Sequence, residues 1–102
     1  MKKHTIYIGL NDKQTKHQEI TTLTAYKIAA NIFTKTTGGA TISEAVGIYT
    51  HDSGEIVTEN TLRCEVYGAD AETIKRAAEA LKVALNQESV LIETAETESA
   101  FI

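Results

Sequence analysis

The chain contains no proline and no tryptophan, and only one cysteine, Cys64. With no proline, no repeat and no Gly/Ser-rich stretch, no linker is legible. The 102 residues therefore read as one domain, with a core over 5–94 and an acidic tail over 95–102. A lone cysteine cannot close an internal disulfide, which fits a reducing compartment. No apolar run approaches the ~18 residues of a membrane span. The start Met1-Lys2-Lys3-His4 is basic, but the apolar stretch after it turns polar at Asn11, too early for a signal core. The expectation is a cytoplasmic protein with no membrane partner. Basic residues are also in deficit, ten against fourteen acidic ones, for a net charge of −4. A phosphate-backbone binder carries the opposite excess, so nucleic acid is not an expected partner.

Metal and cofactor signatures are missing as well. The three histidines, His4, His17 and His51, lie in separate segments without a His-x-x-x-His or Cys-x-x-Cys spacing. No metal and no cofactor is expected; one alternative is a site built by His51, Asp52 and another chain's carboxylate. Gly38-Gly39 is not a phosphate loop, because no Lys-Ser/Thr follows. Ser89 has no nucleophile-elbow turn. Met1-Lys2 excludes a mature proline nucleophile of the kind used by some small isomerases. His4 and His17 read as solvated.

The residues present are 42% hydrophobic and 24% charged, a globular balance. Residues 5–10 alternate, with Ile6, Ile8 and Leu10 on one face, as in a half-buried strand. Thr21 or Thr22 can cap a first helix whose stripe is Leu23, Tyr26, Ala29, Ala30 and Phe33, widened by Ile28 and Ile32. Gly38-Gly39 stops it. Two strand-like runs, 41–50 and 55–67, flank the turn His51-Asp52-Ser53-Gly54 and predict a hairpin, with a bulge or break near Glu59-Asn60. Asp70 caps a second helix with Ile74, Ala77, Ala78, Leu81 and Leu85 on its apolar face. A last strand covers 89–94, and the tail ends in an apolar pair, Phe101-Ile102, able to dock. The order β-α-β-β-α-β predicts an α+β, ferredoxin-like fold: two helices on one face of a four-stranded antiparallel sheet. In the runner-up, 55–67 makes two strands and the tail adds another.

Three segments resemble a bacterial family known only as a domain of unknown function. They are Ile6-Tyr7-Ile8-Gly9-Leu10, the hairpin from Gly47-Ile48-Tyr49 to Glu55-Ile56-Val57-Thr58-Glu59, and Gln87-Glu88-Ser89-Val90-Leu91. The resemblance covers about residues 5–93 and implies the same element order, but no activity. Many members of that family look exported, have tryptophan where Tyr49 stands, and use proline-rich turns that are absent here.

The face that the helices leave open carries the candidate site. By parity it holds Tyr7, Tyr49, Arg63, Glu65, Tyr67 and Leu91. Three tyrosines on one sheet face suit a partly wet contact surface. One reading is an interaction module that self-associates into a homo-oligomer, or binds a protein partner, through this face. The alternative is a small-ligand sensor or small enzyme of the dimeric α/β-barrel kind, with Tyr7, Tyr49, Arg63 and Tyr67 lining a pocket. No residue is singled out as catalytic. Arg63 can clamp a carboxylate or pair with Glu65 or Glu93. Cys64 shares parity with Leu62 and Val66 and reads as a buried, inert thiol.

Overall fold

The computed structural model describes residues 1–102. The elements are β1 (Lys2–Gly9), α1 (Thr22–Thr36), β2 (Thr41–Thr50), β3 (Ile56–Tyr67), α2 (Ala71–Ala84) and β4 (Leu91–Glu96). The sheet order is β2-β3-β1-β4 and every neighbouring pair is antiparallel. Both helices cover one face, which is the ferredoxin-like arrangement the sequence predicts.

Local chemistry sets the ends of the helices. The Thr21 side chain accepts from the Thr24 amide at 3.1 Å, and Asp70 Oδ1 accepts from the Thr73 amide at 2.8 Å. After α1 the chain turns through Gly38 at φ +83, a left-handed backbone that glycine adopts without a Cβ clash. Under the helices lie Ile6, Ile8 and Leu10 of β1 and its exit, with Leu62, Cys64 and Val66 of β3. Above them sit Ala25, Ala29 and Phe33 of α1 and Ile74, Ala77, Ala78 and Leu81 of α2. The alanines allow close approach of helix to sheet.

Several expectations need correction. The buried line of α1 is Ala25, Ala29 and Phe33, flanked by Ile28 and Ile32, while Leu23 and Tyr26 face outward. The helix is turned by about one position because its smallest residues take the closest contact. β3 has no break: its pairing with β2 runs in unbroken register from Thr50↔Ile56 to Thr41↔Glu65. The last strand starts at Leu91 and ends at Glu96, so the tail begins at Thr97. Phe101 and Ile102 are exposed and do not dock within the chain. His4 is fully buried rather than solvated. Its ring nitrogens lie 2.9 Å from Thr94 Oγ1 and 2.7 Å from the Ala69 carbonyl oxygen, tying β1 to β4 and to the entry of α2.

The hairpin of β2 and β3 is longer than the helices that cover it. Ile42, Leu62 and Cys64 lie beneath them, but Val46, Ile48 and Ile56, on the same face further out, are 64%, 70% and 69% exposed. The molecule is accordingly elongated, 47 × 25 × 22 Å. The projecting arm brings the second half of the open face to the mouth of a cleft.

Candidate functional site

The open face carries two polar groupings. The first spans β1 and β3 at the Lys3 end. Tyr7 lies directly opposite Arg63, and Lys3 directly opposite Tyr67. Arg63 Nε donates to the Tyr7 hydroxyl at 3.3 Å, and Glu65 receives Lys3 Nζ at 2.6 Å and Arg63 Nη1 at 3.4 Å. The Lys3 bond is the main reason the Glu65 carboxyl is held below the usual carboxylate range. Each charge here already has a partner, so this end forms a closed ladder.

The second grouping lies at the opposite end, in a cleft of about 830 Å³. Three parts of the chain build it. The sheet contributes Gly9, Tyr49, Val57 and Glu59; the β1–α1 loop contributes Asn11, Lys13, Lys16 and His17; and the α2–β4 connection contributes Gln87, Glu88 and Ser89. Charges of both signs line it, Lys13 and Lys16 together with Asp12, Glu55, Glu59 and Glu88.

Glu59 is the best-positioned of these carboxylates. Its side chain lies over Gly9, where a Cβ would collide with it, and opposite Gly47 on the other neighbouring strand. Its Oε2 accepts from the Asn11 amide at 3.1 Å. Two strands without side chains at these points let a carboxylate lie flat on the sheet. The loop beside it is fixed by polar ties. Asp12 Oδ1 accepts from the Gln14 and Thr15 amides, and Asp12 Oδ2 accepts from Asn86 Nδ2 at 2.6 Å. These bonds, the Asn86 one foremost, lower the Asp12 carboxyl below its ordinary value. Lys16 completes the loop in a left-handed backbone at φ +65, uncommon for a lysine.

All five residues singled out in the sequence stand on the open face, but they do not form one site. Tyr7, Arg63, Glu65 and Tyr67 belong to the ladder. Tyr49 pairs with Val57, six positions along β3 from Arg63, or ~20 Å, and belongs to the cleft. Within one copy Tyr49 therefore lies apart from Tyr7, Arg63 and Tyr67. Sequence reasoning gave Asn11 no role, and met Glu59 and Gln87 only as members of motif segments and, for Glu59, as a possible break in the strand. The available signal was the trio of motif segments, whose Gly9, Tyr49, Glu55, Glu59 and Gln87 all line the cleft. Cys64 is sealed in the core, where burial pushes its thiol up to about 12.

No family model and no curated protein matches the chain. Solved structures do. The fold is similar to that of a phage SAM lyase. In complex with S-methyl-5'-thioadenosine, that protein is 25% identical with a TM-score of 0.70, over 93% of this chain and 80% of the other. Its apo state gives 24% and 0.66, over 92% and 78%. The periplasmic divalent cation tolerance protein CutA from Archaeoglobus fulgidus is 16% identical with a TM-score of 0.61, over 97% of this chain and 87% of that one. CutA1 from Ehrlichia chaffeensis is 14% identical with a TM-score of 0.57, over 97% and 84%. The two CutA proteins share the small ferredoxin-like fold. The chain contains no helix long and apolar enough to cross a membrane.

Proposed function

We propose that the chain is a small enzyme that binds S-adenosylmethionine (SAM) in the cleft beside Glu59 and releases S-methyl-5'-thioadenosine. One observation carries the reading. A charged, polar cleft with a carboxylate set into its floor stands on a scaffold that matches, over 93% of the chain, a lyase structure holding that nucleoside. A sulfonium amino acid is a cation with a zwitterionic arm, and a cleft lined by charges of both signs complements it.

The chemistry asks little of the protein. Methylthioadenosine keeps the methyl and adenosyl groups on sulfur, so the bond that breaks joins sulfur to Cγ of the amino-acid arm. Its electron pair passes to sulfur, which becomes a neutral thioether. An oxygen of the same substrate's carboxylate bonds to Cγ and closes a lactone. No water, proton or cofactor enters. Because two opposite charges cancel in this step, a less polar surround at sulfur favours the transition state. Tyr49 and its strand neighbour Val57 offer that surround, and the tyrosine ring face attracts the incoming cation. Glu55 and Glu88 raise the local cation concentration.

Self-association belongs to the same reading. The arm exposes Val46, Ile48 and Ile56, a patch that a monomer leaves uncovered, and a second copy is its natural cover. The Tyr7–Arg63–Glu65–Tyr67 ladder offers a polar contact surface on the other side of the sheet. A cytoplasmic location fits both the substrate and the free thiol. The uncharacterised family that shares the three motif segments is expected to share the cleft.

The test is direct. Purified protein incubated with SAM should form methylthioadenosine, resolved by chromatography, and Tyr49→Ala or Glu59→Gln should lower kcat/KM by ~10- to 1,000-fold. The absence of both product and calorimetric binding of methylthioadenosine would overturn the proposal.

A further inference from the structure

Gln87 is a buried polar residue whose bonding is incomplete. Only 8% of it is exposed, and it lines the cleft. Its amide nitrogen donates to two carbonyl oxygens, that of Asn11 at 2.8 Å and that of Leu85 at 3.1 Å. Only a nitrogen can serve two carbonyls, so the amide cannot be flipped. Its Oε1 takes no bond from the chain, yet it is not sealed from solvent.

Glu59 lines the same cleft. Asn11 donates its amide to Glu59 and gives its carbonyl to Gln87, so one backbone residue spaces the two side chains. The Glu59 carboxylate and the Gln87 amide are thereby tied to the two backbone groups of one residue of the cleft wall. An amide oxygen that takes no bond from the chain, in a cleft that also holds the Glu59 carboxylate, suits a group with several N–H bonds.

We infer that Gln87 is a specificity-determining residue, accepting a hydrogen bond from a primary ammonium group of the ligand alongside Glu59. The inference rests on the adenosyl reading above and adds to it. The cleft prefers adenosyl compounds that bear an α-amino group over those that carry the same carboxylate and lack it. Gln87 acts in binding and takes no part in bond breaking.

Calorimetry with two thioethers tests this without turnover. S-adenosylhomocysteine carries the ammonium; S-adenosyl-4-thiobutyrate is the same molecule with hydrogen in its place. Wild-type protein should bind the first ~10- to 100-fold more tightly, the worth of a charge-assisted bond. Gln87→Lys keeps a donor for both carbonyls and replaces the acceptor by a like charge, so the preference should vanish or invert. Methylthioadenosine, which has no arm, is the reference in both proteins. Equal wild-type affinity for the two thioethers, with methylthioadenosine bound, overturns the inference alone and needs no variant. A Gln87→Lys protein that weakens all three ligands equally, keeping the preference, assigns Gln87 to holding the loop and also overturns it. Failure of wild-type protein to bind any of the three removes the adenosyl reading, and the inference with it.

Discussion

The carboxylate of Glu59 occupies the space in which Gly9, on the neighbouring strand, has no side chain. Because the atoms that a new Cβ would strike are the far end of a flexible side chain, Glu59 can swing away. Gly9→Ala should therefore cost little stability, within ~1 kcal/mol, while moving the carboxylate off the sheet and off the Asn11 amide. Thermal melts should stay close to wild type and methylthioadenosine binding should fall. A large loss of melting temperature would show that the strand itself cannot accept alanine.

The two faces of the sheet should respond differently to truncation. Leu81 is fully buried under α2, and Leu81→Ala should cost ~2–5 kcal/mol in denaturant unfolding. Arg63 is on the open face, and Arg63→Ala should leave the unfolding midpoint of the separated subunit unchanged. Midpoints taken at several protein concentrations separate folding from assembly.

Cys64 should be unreactive toward a thiol reagent at neutral pH and should react at once in denaturant. Its thiol, raised by burial to about 12 from 9.0, ionises more readily in the unfolded chain. The unfolded state therefore holds fewer protons between those values, and this group makes stability fall as pH rises through that window. Cys64→Ala should weaken that alkaline slope.

Asp12 has the opposite sign. Its carboxyl is lowered from 3.8, first by the Asn86 side chain and then by the Thr15 and Gln14 amides. Its contribution is complete above the unfolded value and is lost as pH falls through the folded one. Asp12→Asn should flatten the acid limb of stability measured by denaturant midpoints between pH ~5 and ~2, and should loosen the β1–α1 loop that borders the cleft.

The arm predicts an oligomer in solution. Light scattering at micromolar concentration should give a multiple of 11.1 kDa, and Ile48→Asp should shift it toward the monomer mass. Ile48 is 70% exposed within one copy, so the substitution should leave subunit folding intact. A wild-type monomer would remove the arm as an interface.

The sequence by itself determined the element order, the cap at Asp70, and the burial of Cys64. Each depends on contacts within a few residues or on period-two parity, which neighbours along the chain encode. It could not tell that Val46 and Ile48 lie beyond the helices, because parity assigns a face but not the length of the layer covering it. Nor could it tell that His4 is buried, since its two partners come from residues 69 and 94. Tertiary structure alone decided the cleft. Antiparallel register set Glu59 between Gly9 and Gly47, and the packing of the α2–β4 connection against the β1–α1 loop brought Gln87 to Asn11. Those residues lie tens of positions apart, and their chemistry exists only where the fold makes them neighbours.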